Sequence, residues 1–158
     1  MNELSPEIQI ELEKRYRTAA FVFIAQIVTA LGLIAAAWFL AQTSENEATS
    51  ESLYALWLVI LFIAVGSFIL RRALFNWGRL SNIAVLKGIP GLLQILQNNS
   101  ILLGSLGELI VVIGFLVAIL SGDKWEMFRA GAVAMIVFLA NFPRKATWQK
   151  IVANQKEI

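Results

Sequence analysis

The sequence predicts an all-α integral membrane bundle of four transmembrane helices. Three observations carry that expectation. Apolar residues make up 58% of the 158 positions, and mean hydropathy is +0.71, well above the roughly 45–50% apolar usage of soluble domains. Four apolar runs approach the roughly 20 residues needed to cross a bilayer. The basic residues gather beside alternate ends of those runs, which is the usual imprint of membrane orientation. At this length the chain is one membrane domain, 1–158.

The leader precedes the first span. Ser5 is suited to cap a helix that has Pro6 at its first position, and Glu11–Arg15 and Glu13–Arg17 are spaced as stabilising i,i+4 pairs. Ile8, Leu12 and Tyr16 form one narrow apolar stripe, suited to a membrane surface or a partner, or simply to a solvated extension of the first span. The acidic and basic leader is too long for a cleavable signal, so the first span is expected to be retained.

The spans are about 18–41, 53–70, 101–120 and 125–142. Glu126 and Arg129 lie in the first turn of the fourth and reach the interface by snorkelling. Lys14, Arg15 and Arg17 precede the first span, Arg71, Arg72, Arg79 and Lys87 follow the second, and Arg144, Lys145, Lys150 and Lys156 follow the fourth. The connection 42–52 holds Glu45, Glu47 and Glu51 with no basic residue. Both termini and the loop 71–100 are therefore expected in the cytoplasm. Trp38, Tyr54, Trp57 and Trp125 would form the outer aromatic belt, and Tyr16, Trp77 and Trp148 the inner one. Within the cytoplasmic loop, Ala73, Trp77, Leu80 and Ala84 repeat at helical spacing among Arg72, Asn76 and Arg79. This is the pattern of an amphipathic interfacial helix or an extension of the second span. Gly88, Pro90 and Gly91 should break it, and a short helix over 92–97 leads into the third span.

Glu108 is the one carboxylate deep inside an apolar run. A charge at that depth costs about 2.5–3.5 kcal/mol on insertion scales. On a helical wheel it shares a face with Gly104, Gly107, Val111, Gly114 and Ala118, small residues that let another helix approach closely. A similar stripe, Ala25, Thr29, Gly32 and Ala36, runs along the first span, with Gln26 nearby as a hydrogen-bond partner for Glu108. Both stripes are read as packing faces. No cation lies within obvious reach of Glu108, and burying a neutral acid costs less than burying a carboxylate. A neutral carboxyl that releases its proton is a proton-binding site; one that only hydrogen-bonds is interhelical glue.

Residues 90–120 resemble the carboxyl-terminal arm of subunit c, the proteolipid rotor-ring subunit of rotary ATP synthases and ATPases. The resemblance rests on Pro90, Leu96-Gln97, Glu108 and the run Ile113-Gly114-Phe115-Leu116-Val117-Ala118-Ile119-Leu120. The preceding span departs from that family, carrying Gly66 where a glycine-rich inner helix is usual. The resemblance implies that Glu108 is a reversible proton carrier in an ion-translocating complex. The residues alone also allow a non-catalytic accessory or assembly protein in which Glu108 is a structural hydrogen bond.

Other classes are poorly supplied. The chain has no histidine and no cysteine, which removes imidazole and thiolate metal ligands, disulfides and Ser–His or Cys–His nucleophiles. A single intramembrane acid gives little catalytic machinery, so no enzyme activity, cofactor or metal is expected. The expected partners are the lipid bilayer and either further copies of the chain or other membrane subunits, with no nucleic acid. The basic asymmetry without a transit peptide points to a bacterial plasma membrane.

Overall fold

A computed structural model of the chain describes residues 5–40 and 50–155. The described residues form five helices, α1 (Pro6–Leu40), α2 (Ser50–Leu74), α3 (Trp77–Ser121), α4 (Lys124–Asn141) and α5 (Lys145–Gln155). Four helices are long and apolar enough to cross a membrane. The acidic connection expected over 42–52 lies, as far as residue 49, outside the described residues.

The leader and first span are one continuous helix of 35 residues. α2 ends at Leu74, so the amphipathic segment after it does not extend the second span. A new helix starts at Trp77, capped by Asn76, whose side chain accepts from the Gly78 amide at 3.0 Å. α3 is interrupted at Gly88, where φ is 66° and ψ is −179°. That left-handed conformation is inexpensive only for glycine, and Pro90 cannot donate to the turn before it. Beyond the interruption α3 runs without a break through residues 92–97 into the span, ending on Gly122 at φ 66°. Asp123 then caps α4 by accepting from the Trp125 amide at 2.9 Å.

α3 is the central element and packs against α1, α4 and α2. Its buried face within the membrane-length part includes Leu103, Gly104, Gly107, Ile110, Val111, Gly114, Val117 and Ala118. α2 is the peripheral helix. It buries Ile60, Ala64 and Ser67 and exposes Leu58, Phe62, Val65 and Ile69, a distribution suited to lipid on its outer side.

A second apolar cluster lies at the end where α1 begins and α5 packs. Leu12 of α1, Leu80, Leu92, Leu93 and Leu96 of α3, and Trp148, Ile151 and Val152 of α5 are buried together, with Ile8 and Tyr16 packed on them. The leader stripe thus has an intramolecular partner. Trp148 is 1% exposed and meets Tyr16 edge-to-face at 5.8 Å. Trp148 is therefore core and not an interfacial anchor, because α5 folds back over α1 and α3, whereas Tyr16 stays half-buried at the edge of the cluster. Outside this cluster a salt bridge from Glu13 to Lys145 fastens α1 to α5, and Arg17, one turn along α1, pairs with the same carboxylate at 2.9 Å. At the opposite end Trp38, Trp125 and Phe128 stack edge-on, with Lys124 over the Trp38 ring at 4.1 Å.

Candidate functional site

The surroundings of Glu108 follow from the register of α3. Gly104 faces α1, where an added Cβ would meet Gln26 Oε1 at 2.1 Å and Phe23 at 3.0 Å. Gly107 faces α4, with the Phe138 ring at 2.8 Å from the same imagined atom, and Gly114 faces Ala130 at 2.3 Å. Ala118 is fully buried. These residues let α1 and α4 come close to α3 on two adjoining sides. Glu108 is one turn beyond Gly104 and so lies on the α1 side, but only partly buried, between buried Gly107 and exposed Leu109.

Asn99 marks the level of the end of α2 by donating to the Leu74 carbonyl at 3.5 Å. Glu108 is nine residues further along α3, about 14 Å at 1.5 Å per residue, and Ser121 is about 20 Å beyond it. The carboxyl is therefore near the middle of the apolar span.

Glu108 makes no hydrogen bond and no ion pair among the described residues. The expected link to Gln26 is absent. The Gln26 amide instead donates to Ser105 Oγ at 2.9 Å and to the Ile101 carbonyl at 3.5 Å, one turn nearer the terminal end. Gln26 is 9% exposed, and its Oε1 has no partner. Its position is set by the gap over Gly104, which admits the amide head and holds it below Glu108.

The expected packing stripe of the first span also needs correction. Ala25, Thr29 and Gly32 are exposed, and nothing lies within 4 Å of an atom added at Gly32. The face that α1 buries is Ala19, Phe23, Gln26, Ala30 and Ala37. Phe23 fills the space over Gly104 and meets Phe138 and Phe142 edge-to-face, so bulk on α1 complements smallness on α3.

Glu126 offers the contrast. It does not merely snorkel. Its Oε2 accepts from Trp57 Nε1 at 2.7 Å, joining α4 to α2, and its Oε1 pairs with Arg129. Ser105 and this Glu126–Trp57 bridge are the polar partners that sequence reasoning missed. Their only signal was the presence of polar atoms at matching depths on different spans. The two span carboxylates are thus in opposite conditions, one paired by two donors and one bare.

Compared with known proteins, the chain matches no family model, no curated protein and no solved structure.

Proposed function

We propose that the chain is a non-enzymatic membrane subunit in which the Glu108 carboxyl binds and releases a proton at the seam between α1 and α3. The observation that carries this reading is the bareness of Glu108, partly exposed at mid-span and without an internal donor. A carboxyl used as glue within the chain would have a partner, as Glu126 does. A proton-exchanging carboxyl needs access instead, and its neutral form is the one that lipid tolerates. The subunit c resemblance of residues 90–120 supports the same role. The basic end, with both termini and the 71–100 segment, then belongs in the cytoplasm of a bacterial cell, and Glu108 faces either further copies of the chain or another subunit.

Carbodiimide labelling in native membranes tests this. Glu108 is expected to react, more at low pH than at high pH, and the folded Glu108→Gln protein not to react there. A Glu108 that stays unmodified at every pH overturns the proposal.

One observation favours a second reading, an accessory subunit whose Glu108 hydrogen-bonds to a partner helix. Ala25, Thr29 and Gly32 leave a shallow exposed track on α1 that a helix could enter closely. Under that reading Glu108 is protected from carbodiimide in the assembled complex at all pH values and becomes reactive only after the complex is dissociated.

A further inference from the structure

At the end of the bundle where α5 packs, the last turns of α2 and α4, the first turn of α5 and Ser100 of α3 border an open cavity of about 100 Å³. Its polar lining includes Arg71, Ser100, Asn141, Arg144 and Thr147, with Trp148 among its apolar walls. Three features of this cavity are unusual together. First, two guanidinium groups line it, that of Arg71 partly buried, and neither forms an ion pair among the described residues. Second, Asn141 is 4% exposed, yet neither Oδ1 nor Nδ2 has a hydrogen-bond partner. Buried amides are seldom left in that state. Third, Arg71 and Asn141 end membrane-length helices, which puts the cavity at the depth where lipid phosphates lie.

Water would satisfy the Asn141 amide, but it would not neutralise two cations. An oxyanion does both. Arginine presents a planar fork of donors that matches phosphate oxygens, and the Asn141 Nδ2 and Thr147 hydroxyl can donate to the same group. Ser100 already donates to the Leu96 carbonyl at 2.9 Å, so it is not an available donor. Size narrows the ligand further. The volume corresponds to roughly three water molecules at about 30 Å³ each, room for a phosphoryl group, with whatever carries it lying outside the cavity.

We infer that Arg71, Arg144 and Asn141 form a phosphate-binding site at the membrane boundary. The bound group is a phosphate oxyanion, carried either on an anionic phospholipid or as free phosphate.

The test uses the full chain in mild detergent, with unfolding temperature measured against inorganic phosphate, phosphatidic acid, phosphatidylglycerol and phosphatidylcholine. A saturable rise is expected, on the order of 5–10 °C at a hundredfold excess over Kd. A rise with phosphate as well as with phosphatidic acid identifies the free anion as sufficient. A rise with the anionic lipids alone assigns the site to a headgroup. Arg71→Gln and Arg144→Gln should each abolish the rise. Arg144 is exposed, so Arg144→Gln leaves the core intact and carries the test if Arg71→Gln fails to fold. No rise with any of the probes, or an equal rise in wild type and Arg144→Gln, overturns the inference.

Discussion

Gly114→Ala measures how closely α3 and α4 are held. The new Cβ would fall 2.3 Å from Ala130 Cβ, where ordinary contact begins at 3.4 Å. Both atoms are fixed to backbone, so no rotamer change relieves the overlap, and the helices must part by about 1 Å or bend. Overpacking of this kind costs about 1–3 kcal/mol. Gaining alanine at a helical glycine returns about 0.5–1 kcal/mol, leaving a net loss of up to about 2.5 kcal/mol and a deficit of about 1–3 kcal/mol relative to a glycine replaced in open space. Gly32→Ala isolates the second effect, since nothing lies within 4 Å of its new atom. It should be neutral or slightly stabilising. Reversible unfolding in mixed dodecyl maltoside and SDS micelles reads both variants. Ala130→Gly placed in Gly114→Ala removes the opposing methyl and should bring stability back to within about 0.5 kcal/mol of wild type, as coupled neighbours do. If Gly114→Ala unfolds with Gly32→Ala, or if Ala130→Gly fails to rescue it, α3 and α4 are not held together at this point and the close-packing account of the glycine face is refuted.

Three further outcomes are expected. Ser105→Ala removes the main acceptor of the Gln26 amide and should destabilise the same unfolding transition by about 0.6 kcal/mol and no more than about 1.7 kcal/mol, with Gln26→Leu in the Ser105→Ala background recovering part of the loss. Glu126→Leu should destabilise by about 1–3 kcal/mol, because the Trp57 N–H and Arg129 lose their acceptor, whereas Glu108→Leu should stabilise by up to about 2.5 kcal/mol; a destabilising Glu108→Leu would reveal a bond to that carboxyl. Lys145 first, and Arg17 with it, hold the Glu13 carboxyl below its ordinary value of 4.5, so its contribution to docking α5 on α1 is present above that value and is lost as pH falls through the lowered one. Limited proteolysis after Lys145 or Lys150 should therefore accelerate below about pH 4.5 in wild type, and Lys145→Gln should remove most of that pH dependence.

The four membrane-length helices were legible because lipid solvation requires a long uninterrupted apolar run, and hydropathy reports that directly. The break at Gly88 was legible too, since glycine and proline two residues apart leave few helical alternatives. The packing face of α1 was not. Its membrane part is apolar all round, so amphipathicity cannot select a face, and small residues suggested the side with Ala25, Thr29 and Gly32. What selects the true face is shape on the other helix: the gap at Gly104 accepts Phe23 and the head of Gln26, and that complementarity is invisible in α1 alone. Trp148 was misread for a related reason. An aromatic beside basic residues has the composition of an interfacial anchor, and only the return of α5 over Leu12 and Leu92 turns it into core. The depth of Glu108 could be read from spacing, but its lack of a partner could not, because that depends on Ser105 taking the Gln26 amide first.

The distribution of satisfied and unsatisfied polar groups follows from the role of α3 as the packing hub. Its glycine face is spent on close approach to α1 and α4, and the one polar group seated against it is the Gln26 head over Gly104. Polar residues of the spans are therefore displaced to the seams, and there they meet two different fates. Where a second peripheral helix overlaps the seam, as α2 does beside α4, Trp57 reaches across and Glu126 is satisfied. Along the α1–α3 seam no further helix of the described chain overlaps Glu108, and its carboxyl remains open on the outer side. A fold under selection for stability alone would have no reason to keep an acid there, since an apolar residue at the same position costs nothing in lipid. The two seams are built from the same helix types, and the contrast between a bare Glu108 near mid-span and a paired Glu126 in the first turn of α4 is the ground for reading Glu108 as a proton or partner site and Glu126 as a structural bond.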